Sequence, residues 1–235
     1  MWINYFYEIQ KKYSMQISKT KTLVIRLDGK DVTKDENINF LANNVGSFSH
    51  SLEIIASSIS RKYDCYCLFG TDEISFIVQN PEKLLNEIQT ENEYFSNEII
   101  SVFSQYFFYH FNQIYKKGEI FWHGKCFSIN ENKITSYVKY RSGAIKNVLT
   151  TYFLKKNDLK LGNKNIITRI NECKKFRDYP VLENAMYGTL YYCGEKLNIH
   201  SFLNGKVERI EENKLLKENI VTNIDENFEI DIDID

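Results

Sequence analysis

Three acidic residues stand beside turn residues in an otherwise apolar setting. Asp28 closes the run "KTLVIRLDG", and Asp72 with Glu73 lies at the tip of "CLFGTDEISFIV". The flanks of that tip are Cys67, Leu68 and Phe69 on one side and Ile74, Phe76, Ile77 and Val78 on the other. Carboxylates crowded together repel unless a cation neutralises them. Hard oxygen ligands suit Mg²⁺, which takes one or two protein carboxylates and completes its shell with phosphate oxygens and water. Two such ions can activate an attacking oxygen and stabilise a leaving pyrophosphate. Gly29 lets the backbone come close to a triphosphate and offers its carbonyl, and Lys30 could neutralise phosphate charge. Surface "DG" and "DE" turns are common, so this chemistry depends on the chain bringing the two stretches together.

The elements that must do so are legible in the pattern. Residues 22–27 read as a buried strand stopped by Gly29. Val45, Phe48, Leu52, Ile55 and Ile59 recur at steps of three and four, one face of a helix, with Arg61 and Lys62 near its negative end. Residues 64–69 and 74–78 are apolar runs around "GTDE", a hairpin pattern. A second helical region follows Pro81 through "NEIISVFSQYFFYHFNQIYKK", and "EIFWHGKCFSI" reads as a strand. The order β-α-β-β-α-β predicts an α/β (α+β) fold with a ferredoxin-like palm core. Further helices are expected over about residues 135–156 and 163–175. A right-handed β-α-β crossover makes the first two strands parallel, with the third antiparallel between them. The end of strand one and the hairpin tip then share one sheet edge, and Asp28, Asp72 and Glu73 converge.

Bulk properties bound the rest. The chain has 235 residues, enough for a substantial core, and is read as one domain over residues 1–214 with an acidic tail over 215–235. A net charge of −1 gives no global basic footprint, yet residues 139–177 are rich in Lys and Arg. Five cysteines without a CxxC pair read as free thiols rather than a zinc site. The opening "MWINYFYEIQKKYS" lacks the plan of a signal peptide and no run is long enough to span a membrane, so the expected location is cytoplasmic, without membrane partners. The stripe in "FSQYFFYHF" reads as core, His123 as a partly buried structural residue, and Asp31, Asp35 and Glu36 as loop acids. Lys155, Lys156, Lys160 and Lys164 form either an RNA-facing patch or a solvated face.

"TLVIRLDGKDV" and "FGTDEISF" resemble the two metal-binding motifs of the tRNA-His guanylyltransferase family, closest to its bacterial and archaeal guanylyltransferase-like branch. The resemblance continues through "FWHGKCFSI", "SYVKYRSGAIKN" and "INECKKFRDYPVLENAMYGTLYY". It implies a reverse polymerase that adds nucleotides in the 3′-to-5′ direction to the 5′ end of RNA, with tRNA as the expected RNA. The 3′-hydroxyl of the incoming nucleotide attacks the activated 5′ end, and pyrophosphate leaves. In that reading Asp28, Asp72 and Glu73 are catalytic, and two Mg²⁺ ions sit on Asp28, Asp72 and the Gly29 carbonyl. Gly29, Lys30, Asp31, Val32, Thr71 and Glu73 lie beside the nucleotide, GTP with ATP as a second substrate. Arg141, Lys146 and Asn147 lie near phosphates of nucleotide or RNA. A homo-oligomer, dimer or tetramer, is implied as well. The chain departs from the family at Val32, where an aromatic packs on the base, and at His123 and Lys125, where an Asp and an Arg are usual. Two other readings stay open: a palm-type nucleotide cyclase or dinucleotide synthase, and a non-catalytic nucleotide- or RNA-binding palm.

Overall fold

The computed structural model describes residues 15–34, 38–42, 44–88, 95–160, 162 and 164–210. The acidic tail, Asp35 and Glu36 lie outside the described residues. Six strands are described: β1 (Thr22–Gly29), β2 (Tyr66–Gly70), β3 (Glu73–Val78), β4 (Trp122–Ile129), β5 (Thr189–Tyr192) and β6 (Glu195–Leu197). The helices are α1 (Phe48–Lys62), α2 (Glu82–Ile88), α3 (Ser96–Tyr115), α4 (Ile134–Lys156), α5 (Ile166–Cys173), α6 (Tyr179–Ala185) and α7 (Ile199–Leu203). The sheet order is β4-β1-β3-β2-β5-β6, with every neighbouring pair antiparallel. Its first four strands are the order that β-α-β-β-α-β requires, with β3 between the mutually parallel β1 and β2. The hairpin β5-β6 then extends the sheet beyond β2.

Strand and helix ends shift by a few residues from the sequence reading, and three differences bear on packing. β1 runs on through Asp28 and Gly29, because Asp28 pairs with Glu73 and His123 and Gly29 pairs with Trp122. The helix expected after Pro81 is two helices, α2 and α3. Val45 lies ahead of α1 and is exposed, because Ser47 caps the helix by accepting a hydrogen bond from His50 N at 3.2 Å.

The two faces of the sheet differ in chemistry. One presents Leu23, Ile25, Leu27, Ile74 and Phe76, all fully buried beneath α1 and α3. On α3, Ile99, Phe103, Phe107, Phe111 and Tyr115 repeat at every fourth residue and are buried, and Phe76 meets Phe103 and Phe107 edge-on at 5.1 and 6.0 Å. The aromatic stripe is therefore core. The opposite face carries Arg26, Asp28, Glu73 and Ser75, and α4 crosses it, with Tyr137 Oη 3.0 Å from Ser75 Oγ. The five cysteines are free thiols, and no helix among the described residues is long and apolar enough to cross a membrane.

Glycines give this packing a direct test. At Gly188, where φ is +81°, a Cβ would lie 2.8 Å from both the Phe69 carbonyl oxygen and Ile145 Cδ1. The Ile side chain can yield and the backbone carbonyl cannot, so Gly188→Ala should cost about 2 kcal/mol in chemical denaturation. Gly143, inside α4 with nothing near its missing Cβ, should gain about 1 kcal/mol as Ala in the same measurement.

Candidate active site

The acids meet through the backbone before their side chains matter. Gly29 N donates to the Asp72 carbonyl at 2.7 Å, which ties the end of β1 to the hairpin tip. Asp28 and Glu73 sit opposite one another in the β1–β3 ladder, so both side chains leave the same face of the sheet. Burial pushes the Asp72 carboxyl above its ordinary range. The neighbouring charge of Asp28 adds to that rise, while its own backbone N–H, the Thr71 hydroxyl and Arg141 oppose it.

The tip itself is strained. Gly70 pairs with Glu73, leaving Thr71 and Asp72 as a two-residue loop, and Thr71 has a φ of +56°. Of the two loop residues Thr71 alone has positive φ, a position where Gly is the usual occupant of a tight hairpin. A buried, β-branched residue held there is the kind of local strain that collects at functional sites. Its hydroxyl lies 2.6 Å from the Gly70 carbonyl oxygen and 3.1 Å from Asp72 Oδ1, so Thr71 steers the acid beside it.

Glu73 is committed elsewhere. Arg141 of α4 grips it with both arms of the guanidinium, Nε to Oε1 at 2.9 Å and Nη2 to Oε2, and each side chain is only 8% exposed. Burial pushes the Glu73 carboxyl up, against the pull of Arg141. The expected convergence of three carboxylates thus resolves into two, Asp28 and Asp72, above a buried ion pair. Among the described residues no group of three or more His, Cys, Asp or Glu side chains could hold a metal ion. Two carboxylates with a nearby glycine carbonyl still fit Mg²⁺, which needs no more from the protein. Arg26 Nη2 lies 2.7 Å from Asp28 Oδ2, leaving the other oxygen for a cation.

The remaining sequence-predicted residues divide. Lys30 is exposed beside the site, its backbone N–H donating to the Phe121 carbonyl at 2.7 Å. Asp31 is also exposed, and its hydrogen bond and ion pair with Lys34 at 2.5 Å hold its carboxyl below the usual range. Val32 is buried, and a Cβ on Gly29 would meet its Cγ2 at 2.7 Å, so Val32 shapes the backbone path rather than presenting a surface. On α4, Arg141 alone of the three reaches the acids. Lys146 Nζ turns to Tyr187, 3.3 Å from Oη and 4.7 Å from the ring centroid, and Asn147 Oδ1 accepts from Arg169 Nη1 at 3.0 Å. Lys164 is paired with Glu172 at 2.7 Å, whereas Lys155, Lys156 and Lys160 are exposed.

This face also carries Arg26, which the sequence reading did not single out, and His123 and Lys125, which it named without placing them beside Asp28. All three share it with Asp28 by strand alternation and register. His123 is exposed opposite Asp28 rather than partly buried. Arg26 Nε is buried and has no hydrogen-bond partner among the described residues. Their signal was the period of two running back from Asp28. On the other side of Thr71 opens a cavity of about 510 Å³, whose walls include Phe40, Leu52, Glu53, Phe69 and Lys196.

No family model matches the chain, and no curated protein matches it in sequence. Solved structures do match it. A bacterial tRNA(His) guanylyltransferase (Thg1)-like protein in complex with ATP is 12% identical with a TM-score of 0.60, covering 98% of this chain and 100% of its own. The chain has the fold of the Thg1-like proteins. A bacterial Thg1-like protein in complex with GTP is 15% identical with a TM-score of 0.58, covering 96% of each chain. The tRNA(His) guanylyltransferase of Saccharomyces cerevisiae is 15% identical with a TM-score of 0.49, over 90% of this chain and 98% of its own. The Thg1-like architecture agrees with the palm order read from the sequence.

Two substitutions probe the site as built. Arg141→Met strands a buried carboxylate and should cost about 3 kcal/mol in denaturant melts, while adding Glu73→Leu should recover part of that loss. Asp72→Asn removes a half-buried charge and its repulsion from Asp28. Because the Asp72 carboxyl is raised in the folded state, its destabilisation is present at neutral pH and vanishes as pH falls and the group protonates. Asp72→Asn should therefore stabilise the protein by about 1 kcal/mol at pH 7, with the gain disappearing in acid.

Proposed function

We propose that the chain is a Mg²⁺-dependent nucleotidyltransferase that extends the 5′ end of RNA in the 3′-to-5′ direction, with tRNA as the RNA and GTP, or ATP, as the incoming nucleotide. The observation that carries this reading is the Gly29–Asp72 backbone bond, which joins Asp28 to Asp72 at one edge of a Thg1-like sheet. Structural neighbours solved with ATP and with GTP support nucleotide binding.

Asp28 and Asp72, with the Gly29 carbonyl, are the groups that would hold the cations. Two Mg²⁺ ions, when bound, would supply an activated 3′-hydroxyl and neutralise the charge on departing pyrophosphate. Thr71 keeps Asp72 oriented through its hydroxyl. Glu73 acts at one remove, holding Arg141 so that its charge stays beside the acids. Exposed Lys30 offers a donor to phosphate oxygens. Asp72 must be ionised to bind a cation, so activity should fall as pH drops and this carboxyl, raised by burial in the free protein, protonates.

The direct assay mixes the protein with Mg²⁺, labelled GTP or ATP, and a tRNA truncated at its 5′ end. RNA lengthened at the 5′ end is expected, and Asp72→Asn should lower the rate at least a hundredfold, roughly the several kcal/mol a catalytic metal supplies. A small labelled product formed without RNA would replace this reading with a cyclase or dinucleotide synthase. No turnover with any RNA or nucleotide would leave a binding module.

A further inference from the structure

The cavity beyond Thr71 holds a charged group that the proposed chemistry does not use. Its volume of about 510 Å³ lies within the usual range of small-molecule sites, roughly 300–1,000 Å³. Its lining is mixed: Phe40, Leu41, Leu52 and Phe69 give it apolar stretches, and Glu53 of α1 and Lys196 of β6 are among its polar groups. Thr71 borders the cavity and hydrogen-bonds Asp72, so a nucleotide with its phosphates at Asp28 and Asp72 has this space beside it. Apolar stretches of this kind suit the faces of a base, and a fixed polar group beside them can read its edge.

We infer that Glu53 is the specificity-determining residue, selecting a guanine base in this cavity; the inference rests on the nucleotide-binding reading above. Tyr191 Oη at 3.0 Å and Lys196 Nζ at 2.8 Å both bond to Glu53 Oε1. These two bonds fix the carboxylate and occupy one oxygen. Oε2 has no hydrogen-bond partner among the described residues, and its lone pairs remain for a ligand. An ionised carboxylate only accepts hydrogen bonds. The Watson–Crick edge of guanine offers two adjacent donors, N1–H and the 2-amino group. Adenine offers a donor at N6 beside an acceptor at N1, which sets lone pair against lone pair. Hypoxanthine keeps N1–H and lacks the 2-amino group. Glu53 thus ranks guanine above hypoxanthine and hypoxanthine above adenine.

Equilibrium binding of GTP, ITP and ATP to the full chain in Mg²⁺ tests this without any substitution. The expected order is GTP tightest, ITP intermediate and ATP weakest. Glu53→Gln keeps the oxygen that Tyr191 and Lys196 use and replaces the free acceptor with a donor. In that variant, with an unchanged melting temperature, GTP should weaken roughly tenfold or more while ATP stays within about twofold. Equal binding of the three nucleotides to the wild type, or the same order surviving in Glu53→Gln, would overturn the role of Glu53 and leave the nucleotide site standing. Binding of none of the three would overturn both readings.

Discussion

The buried pair of Glu73 and Arg141 is the constraint on which the rest of the site depends. It is the joint between the polar face of the sheet and α4, with both side chains almost fully removed from water. Taking two charges out of solvent is costly unless the geometry is good and the hydrogen bonds are met. The two-armed contact meets both conditions, and the Ser75–Tyr137 hydrogen bond lies on the same seam. A helix carrying only apolar residues would leave Glu73 stranded beneath it. A sheet carrying only apolar residues would have no use for Arg141. With the pair formed, a cation is held beside Asp28 and Asp72 without either of them having to bind it.

The hairpin tip works in the other direction, accumulating unfavourable terms. Thr71 occupies a left-handed conformation that a glycine would adopt at less cost, and Asp72 is half-buried within reach of another carboxylate's charge. Neither feature helps the fold. Strain and crowded charge of this kind collect at functional sites, and under the proposed function they await a cation and phosphate. The tie from Gly29 N to the Asp72 carbonyl keeps the arrangement from relaxing.

Much of this was legible in the residues, for physical reasons that also mark where legibility ended. Alternation and helical periodicity placed β1, α1 and the β2–β3 hairpin, and the handedness of the crossover then brought Asp28 to Asp72. The aromatic residues of α3 read as core because their spacing matched a single helical stripe. On α4 the buried stripe Ile134, Val138, Arg141, Ile145 and Leu149 has a charged residue at its centre. That break in pattern was visible, but its partner lies 68 residues earlier on another element. The grouping of Lys146 and Asn147 with Arg141 neglected the 100° each helical residue turns, which aims the three at different neighbours. Arg26 was within reach of the same alternation that placed Asp28. Glu53, Tyr191 and Lys196 meet only because β5 and β6 extend the sheet over α1, a pairing no local pattern announces.

If Asp28 and Asp72 form one cation site, the location of a bound ion is the most direct evidence for it. Mn²⁺ can stand in for Mg²⁺ and is located by its anomalous scattering in crystals grown with a non-hydrolysable GTP analogue. The expected result is an anomalous peak bridging the Asp28 and Asp72 carboxylates, with the analogue's phosphates completing its shell and Glu73 still held by Arg141. A peak at Glu73 with Arg141 displaced, or a bound analogue with no ion between Asp28 and Asp72, would contradict it.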